Sequence, residues 1–128
     1  MTFQWRHLLQ IAVNLLSGSP EEREHRSAIN RAYYSAYGEA REFSIRHGYQ
    51  MNSRQSSHEQ IWQHLRSGGP NLPSGHRAAL KAIGDSGIKL RTLRVQADYK
   101  LNSPPTSGDA NTAIGLATSI IRRLNGIP

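Results

Sequence analysis

The sequence predicts an all-α fold, an antiparallel (up-down) bundle of about five helices in a single domain over residues 1–128. Three observations predict it. Apolar residues recur at three- and four-residue intervals in five separate stretches. Capping residues and glycines bracket those stretches. Nowhere does apolar/polar alternation run long enough beside turn chemistry to make a strand.

The first helix is expected from a Thr2 cap to about Ser17, with Trp5, Leu8, Leu9, Ala12, Leu15 and Leu16 on its apolar side and Gly18 at its stop. The run Ser19-Pro20-Glu21-Glu22 opens the second, with Ser19 as cap, Pro in the first turn and two carboxylates on the positive end of the dipole. That helix should reach about His47 and stop at Gly48. Its core stripe is Ile29, Ala32, Tyr33, Ala36, Ala40 and Phe43, and the alanines four apart admit a close neighbour. A third helix should start at Ser57, whose spacing to Gln60 is that of a capping box, and end near Arg66. SGGPNLPSG is then a loop by composition.

Ser74 is expected to cap a long fourth helix through about Leu101, weakened by Gly84 and Gly87 at about 1 kcal/mol each against Ala. Its core stripe reads Ala79, Ala82, Ile83, Ser86, Leu90, Leu93 and Ala97. Ile88, Val95 and Tyr99 form a second, narrower ridge on the far side. A helix apolar on two sides must bury both, which predicts another helix or a second subunit against that ridge, most simply a homodimer. After NSPPTSGD, a last helix should run from about Ala110 to Leu124 on Ile114, Ala117, Ile120, Ile121 and Leu124.

Composition narrows the chemistry. There is no cysteine, which excludes a disulfide framework and a thiolate zinc site. His58 and His64 lie six apart without a carboxylate at ligand spacing, so no metal and no cofactor are expected, and His58 reads as a tether between the loop and the bundle. The longest apolar run, Leu8 to Leu16, is broken by Gln10 and Asn14, too short for a membrane span, and a signal-peptide pattern is lacking. A cytoplasmic protein with no membrane partner is the expectation. Of the formal charge of +7, residues 1–64 carry seven Lys/Arg against six Asp/Glu, and residues 65–128 carry nine against three. The basic second half suits a phosphate backbone or an acidic partner, or serves only solubility.

Two helices hold the candidate site. On the second, Asn30, Tyr34, Tyr37 and Arg41 lie outside the core stripe. Such tyrosines either stack on bases beside a phosphate-binding cation or cover a helix junction with their hydroxyls wet. On the fourth, Arg91, Arg94 and Asp98 fall between the two apolar ridges, and Arg94 and Asp98 are spaced to pair along the helix.

The runs RSAINRAYYSAYGEAREF at 26–43, SSHEQIW at 56–62 and LRTLRVQADYKL at 90–101 together resemble the HEPN domain family, in the expected order over about residues 5–124. The resemblance implies an antiparallel helical bundle, frequent homodimers, an RNA or nucleotide partner, and a place in prokaryotic toxin–antitoxin or phage-defence systems. It also implies metal-independent endoribonuclease activity in members carrying an arginine followed four to six residues on by a histidine. Arg94 matches that arginine, but Asp98, Tyr99 and Lys100 stand where the histidine belongs. Arg41 and His47 have a permissible spacing, a coincidence expected among thirteen arginines and six histidines. Tyrosine, with a pKa near 10, is a poor base at neutral pH, and an aspartate paired with arginine is poorer still. The ADY form resembles the branch read as binding or partner-interaction modules, sometimes encoded beside a minimal nucleotidyltransferase.

The expected function is therefore RNA or nucleotide binding without full nuclease activity. Arg91, Arg94 and Lys100 would sit on phosphate, Tyr99 would stack, Asp98 would orient Arg94, and Arg31 and Tyr34 would border the groove. The alternatives are an endoribonuclease using Arg94 with Tyr99 or a histidine from elsewhere, and a structural assembly subunit.

Overall fold

In a computed structural model of the chain, which describes residues 3–69 and 71–128, five helices account for all the regular structure among those residues. They are α1 His7–Leu15, α2 Glu22–Arg46, α3 Ser57–Ser67, α4 Arg77–Tyr99 and α5 Ser107–Asn125. The protein is an all-helical bundle, as its periodicity predicts. The expected Thr2 cap lies outside the described residues.

Starts differ from the expected caps for identifiable reasons. The chain enters α2 two residues after Ser19, with Glu21 extended at the cap and the Glu24 carboxylate accepting its N–H at 3.2 Å. Ser56, not Ser57, caps α3, its Oγ accepting a long bond from the Glu59 N–H at 3.5 Å. Gly75 takes a left-handed turn, φ +86°, so Ser74 stays outside α4 and His76 stands at the cap without a side-chain bond. The start of α5 lies three residues before Ala110, because Thr106 and Asp109 form a reciprocal capping box at 3.1 and 2.9 Å.

Side-chain pairs fix the helix directions. Arg6 hydrogen-bonds Glu39 at 3.1 Å and Asn125 at 3.4 Å, fastening the start of α1 to the later half of α2 and the end of α5. Asn30 meets Asp98, Tyr33 meets Arg94, Trp62 meets Gly87 and Arg66 meets Asp85, so α4 runs antiparallel to both α2 and α3. Helices α2 and α3 consequently share a direction, and residues 47–56 carry the chain back between them. That segment is wound around one buried side chain. The Gln60 Oε1 accepts from the Asn52 N–H at 2.6 Å and the Tyr49 hydroxyl at 3.1 Å, while its Nε2 donates to the carbonyls of Asn52 and Gln55 at 2.6 and 3.0 Å.

The α2 stripe is buried throughout, from Ile29 to Phe43, and packs with Ala113, Ala117 and Ile120 of α5 in the central cluster. Each buried aliphatic side chain of this kind contributes about 1.5–3 kcal/mol. The core face of α4 is rotated from the expected one. Leu80, Gly84, Gly87 and Arg94 are buried with Ile83, Leu90 and Ala97, whereas Ala79, Ala82, Ser86 and Leu93 are only half-buried. The two glycines cause the rotation. A Cβ at position 84 would stand 2.7 Å from the Trp62 carbonyl oxygen, and one at 87 would overlap the Trp62 indole. What reads as helix weakness in the sequence is the clearance that lets α3 lie on α4.

Candidate functional site

Tyr33 stands at the centre of the site. Its ring is fully buried on the core stripe of α2, one turn from Tyr37. The indole Nε1–H of Trp62, from α3, donates to its hydroxyl oxygen at 3.1 Å, and His58 Nδ1 lies 2.7 Å from the same oxygen. His58 is thereby joined to the bundle, and its ring stacks on Tyr37 at 4.3 Å with Tyr34 edge-on at 5.8 Å. Burial is the main cause pushing the Tyr33 phenol far above its ordinary range, with the Arg94 charge a smaller opposing effect. Burial likewise lowers the His58 imidazole below its usual 6.5, helped by the nearby Arg94 and Arg91 cations.

Arg94 is only 6% exposed. Its guanidinium stands over the rings of Tyr33 at 5.2 Å, Tyr34 at 5.7 Å and Tyr99 at 5.7 Å, a three-sided aromatic cage of the kind that favours a cation. The expected pair with Asp98 is present but long, 3.5 Å from Nη1 to Oδ2. Asp98 is held better by the Asn30 amide at 3.1 Å, and Asn30 in turn accepts from Arg31 at 2.8 Å. The Nε atoms of Arg94 and Arg91 are buried without an acceptor.

The expected site residues divide between two flanks of α4. Arg31 lies with Asn30, Asp98, Arg26 and Leu101 in a shallow depression on the α2 side. Arg91, Thr92, Gln96 and Lys100 line a groove of about 320 Å³ between α3 and α4, facing Glu59 and Gln63. The apolar side of that groove is Trp62, Ile88 and Val95. The second ridge of α4 is thus half-covered within one chain, with α3 supplying part of what the sequence reserves for a partner. Tyr99, one turn beyond Val95, is 70% exposed, and Leu101 beyond it is 75% exposed.

His47 is occupied by two backbone carbonyls, Phe43 at 2.8 Å and Pro128 at 2.9 Å, so its spacing from Arg41 has no chemical meaning here. Among the described residues no three His, Cys, Asp or Glu side chains converge as a metal site would require, and no helix is long and apolar enough to cross a membrane. Sequence reasoning misses Tyr33 and Trp62 as parts of this site. The available signal was the pairing of Tyr33 and Tyr37 at four-residue spacing with a histidine just inside the next helix.

A cluster like this can do three things: hold a fixed cation under an exposed tyrosine, present further cations along a groove, and offer an imidazole beside them. Comparison with protein-family models, with curated proteins and with solved structures gives no match for this chain.

Proposed function

We propose that the groove between α3 and α4 binds single-stranded RNA or a nucleotide, and that the chain is a binding module of the HEPN-like kind. The observation that carries this is the groove's mixed wall: Arg91 and Lys100 for phosphate, Thr92 and Gln96 for polar edges, and Ile88 and Val95 for a flat apolar ring. Cations supply affinity without sequence information, and exposed aromatics add stacking. Tyr99 is the stacking surface at the rim. Arg94, caged beneath it, acts as a positioning residue that fixes the ring, with Asp98 and Asn30 setting the guanidinium. Arg31 and Tyr34 extend the polar track over the α2 side. The resemblance of the three quoted runs supports a setting in a toxin–antitoxin or defence system, with a minimal nucleotidyltransferase as the cognate partner.

One observation favours a second reading, metal-independent RNA cleavage: His58 shares the Tyr33 platform with Arg94, giving the arginine a histidine from another helix. Incubation of the protein with end-labelled RNA in EDTA tests both. Binding that weakens as salt rises, with a slope about one unit shallower in Arg91→Ala or Lys100→Ala, supports the module. Cleavage in EDTA that is lost in His58→Gln supports the nuclease. Binding indifferent to salt removes the phosphate-led contact and leaves a structural subunit.

A further inference from the structure

We infer that His58, which stands beside the α3–α4 groove next to the lining residue Glu59 and one turn from Trp62, is a ligand-binding residue at the edge of that groove, a neutral donor whose free N–H is fixed at Nε2 by the hydrogen-bonded chain Trp62–Tyr33–His58. This deepens the RNA-binding reading and rests on it.

The proton order follows from donor and acceptor rules alone. An indole nitrogen only donates, so the Trp62 N–H occupies one lone pair of the Tyr33 oxygen. The Tyr33 hydroxyl then has one hydrogen to place, and the nitrogen at 2.7 Å, His58 Nδ1, is its acceptor. A neutral imidazole that accepts at Nδ1 carries its hydrogen on Nε2. Were His58 to donate at Nδ1 instead, the buried Tyr33 hydroxyl hydrogen would lose its partner, which is costly in a site this dry. Trp62 and Tyr33 are both fully buried, so the chain is shielded from water at its origin.

The ring is also held in place. Tyr37 covers one face at 4.3 Å, Tyr34 abuts it edge-on, and the Nδ1 edge is taken. Nε2 has no hydrogen-bond partner among the described residues and is not among their buried polar atoms without one. The neighbouring charges are Arg91 and Arg94 of α4, and Arg91 also lines the groove. The adjacent residue, Glu59, lines it from the α3 side. A neutral donor beside two guanidinium groups suits a phosphodiester oxygen, which both can share without the repulsion that a third cation would bring. The depressed basicity of the imidazole supports this: burial and the two arginines keep it unprotonated near neutral pH.

Two amide replacements separate the ring's inward and outward roles. Asparagine sets its carbonyl near the Nδ1 position and keeps the Tyr33 bond, but has no donor reaching outward. Glutamine places an amide N–H near the Nε2 position. The probe is a fluorescein-labelled single-stranded RNA 12-mer, titrated by anisotropy, alongside long-range ¹H–¹⁵N spectra of the imidazole. The expected results are an Nε2–H tautomer in wild type with its Nδ1 resonance moved by the bond from Tyr33, a displacement that Tyr33→Phe abolishes. His58→Asn should bind roughly tenfold weaker with its melting temperature kept, and His58→Gln should bind within about threefold of wild type. An Nδ1–H tautomer, or His58→Asn binding like wild type while Arg91→Ala weakens it, overturns the inference and leaves the groove reading intact. Wild-type protein that fails to bind the 12-mer overturns both, even if the tautomer is as expected.

Discussion

Trp62 lies so close over Gly87 that a side chain of any size at position 87 would occupy the same space as the indole. The contact sets the distance between α3 and α4, and with it the width of the groove between them. Gly87→Ala is expected to destabilise by about 2 kcal/mol, overpacking outweighing the gain in helix propensity. Gly115, on the outer face of α5, has open space around it, and Gly115→Ala should stabilise by about 0.5–1 kcal/mol. Urea denaturation of the two variants checks the opposite signs.

Arg94 differs from a surface arginine in having its charge enclosed. Arg94→Ala empties the cage of three tyrosines and is expected to lose about 2–4 kcal/mol in denaturant melts. Asp98→Asn, in which Asn30 and Arg94 keep an oxygen to donate to, should lose about 1 kcal/mol or less. Equal losses would mean that the ion pair, rather than the cage, holds the guanidinium.

Acid should weaken the fold through histidine. His58 and His64 both have basicities lowered chiefly by burial, with Arg94 and Arg91 adding at His58 and His47 at His64. Each binds its proton more readily in the unfolded chain, near the ordinary 6.5, than in the folded one. The stability they contribute is therefore complete above that pH and lost as pH falls below it. The melting temperature is expected to be lower at pH 5.5 than at pH 7.5, and His58→Gln should reduce the drop. Calorimetry at the two pH values decides it, and an unchanged drop would place the effect elsewhere.

A groove open to RNA needs Ile88 and Val95 uncovered. The chain is expected to sediment as a monomer at micromolar concentration, and Ile88→Asp/Val95→Asp should lose RNA binding with its mass unchanged. A wild-type dimer that this double variant dissociates would restore the subunit interface that a two-sided helix suggests and displace the ligand.

The parts of the fold written by local spacing were legible. The α2 stripe from Ile29 to Phe43 follows helical period alone and is buried as that period requires. The α4 face was not, because it is set by the bulk of Trp62 in another helix, and glycine gives no hydrophobic signal. The site shows the same division. The Arg94–Asp98 spacing could be read along one helix. The cage could not, since Tyr33 and Tyr34 reach it from α2 and an arginine surrounded by aromatics looks in sequence like any other charge. His58 was legible as a tether and not as a neighbour of Arg91, for the same reason.

The winding of residues 49–55 around Gln60 has a consequence for the order in which the molecule comes apart. Tyr49 and Met51 pack against the core at its start, and beyond them its backbone is held by three bonds, to the Asn52 N–H and the Asn52 and Gln55 carbonyls, from one amide that belongs to α3. Tyr49 stays tied to α2 through the Ser44 carbonyl at 3.0 Å, but the stretch from Asn52 to Gln55 must loosen whenever the start of α3 lifts. That stretch is thus an early departure in local opening. Because the same turn of α3 carries His58 and Glu59, opening there dismantles one wall of the groove while the α1–α2–α5 core stays closed.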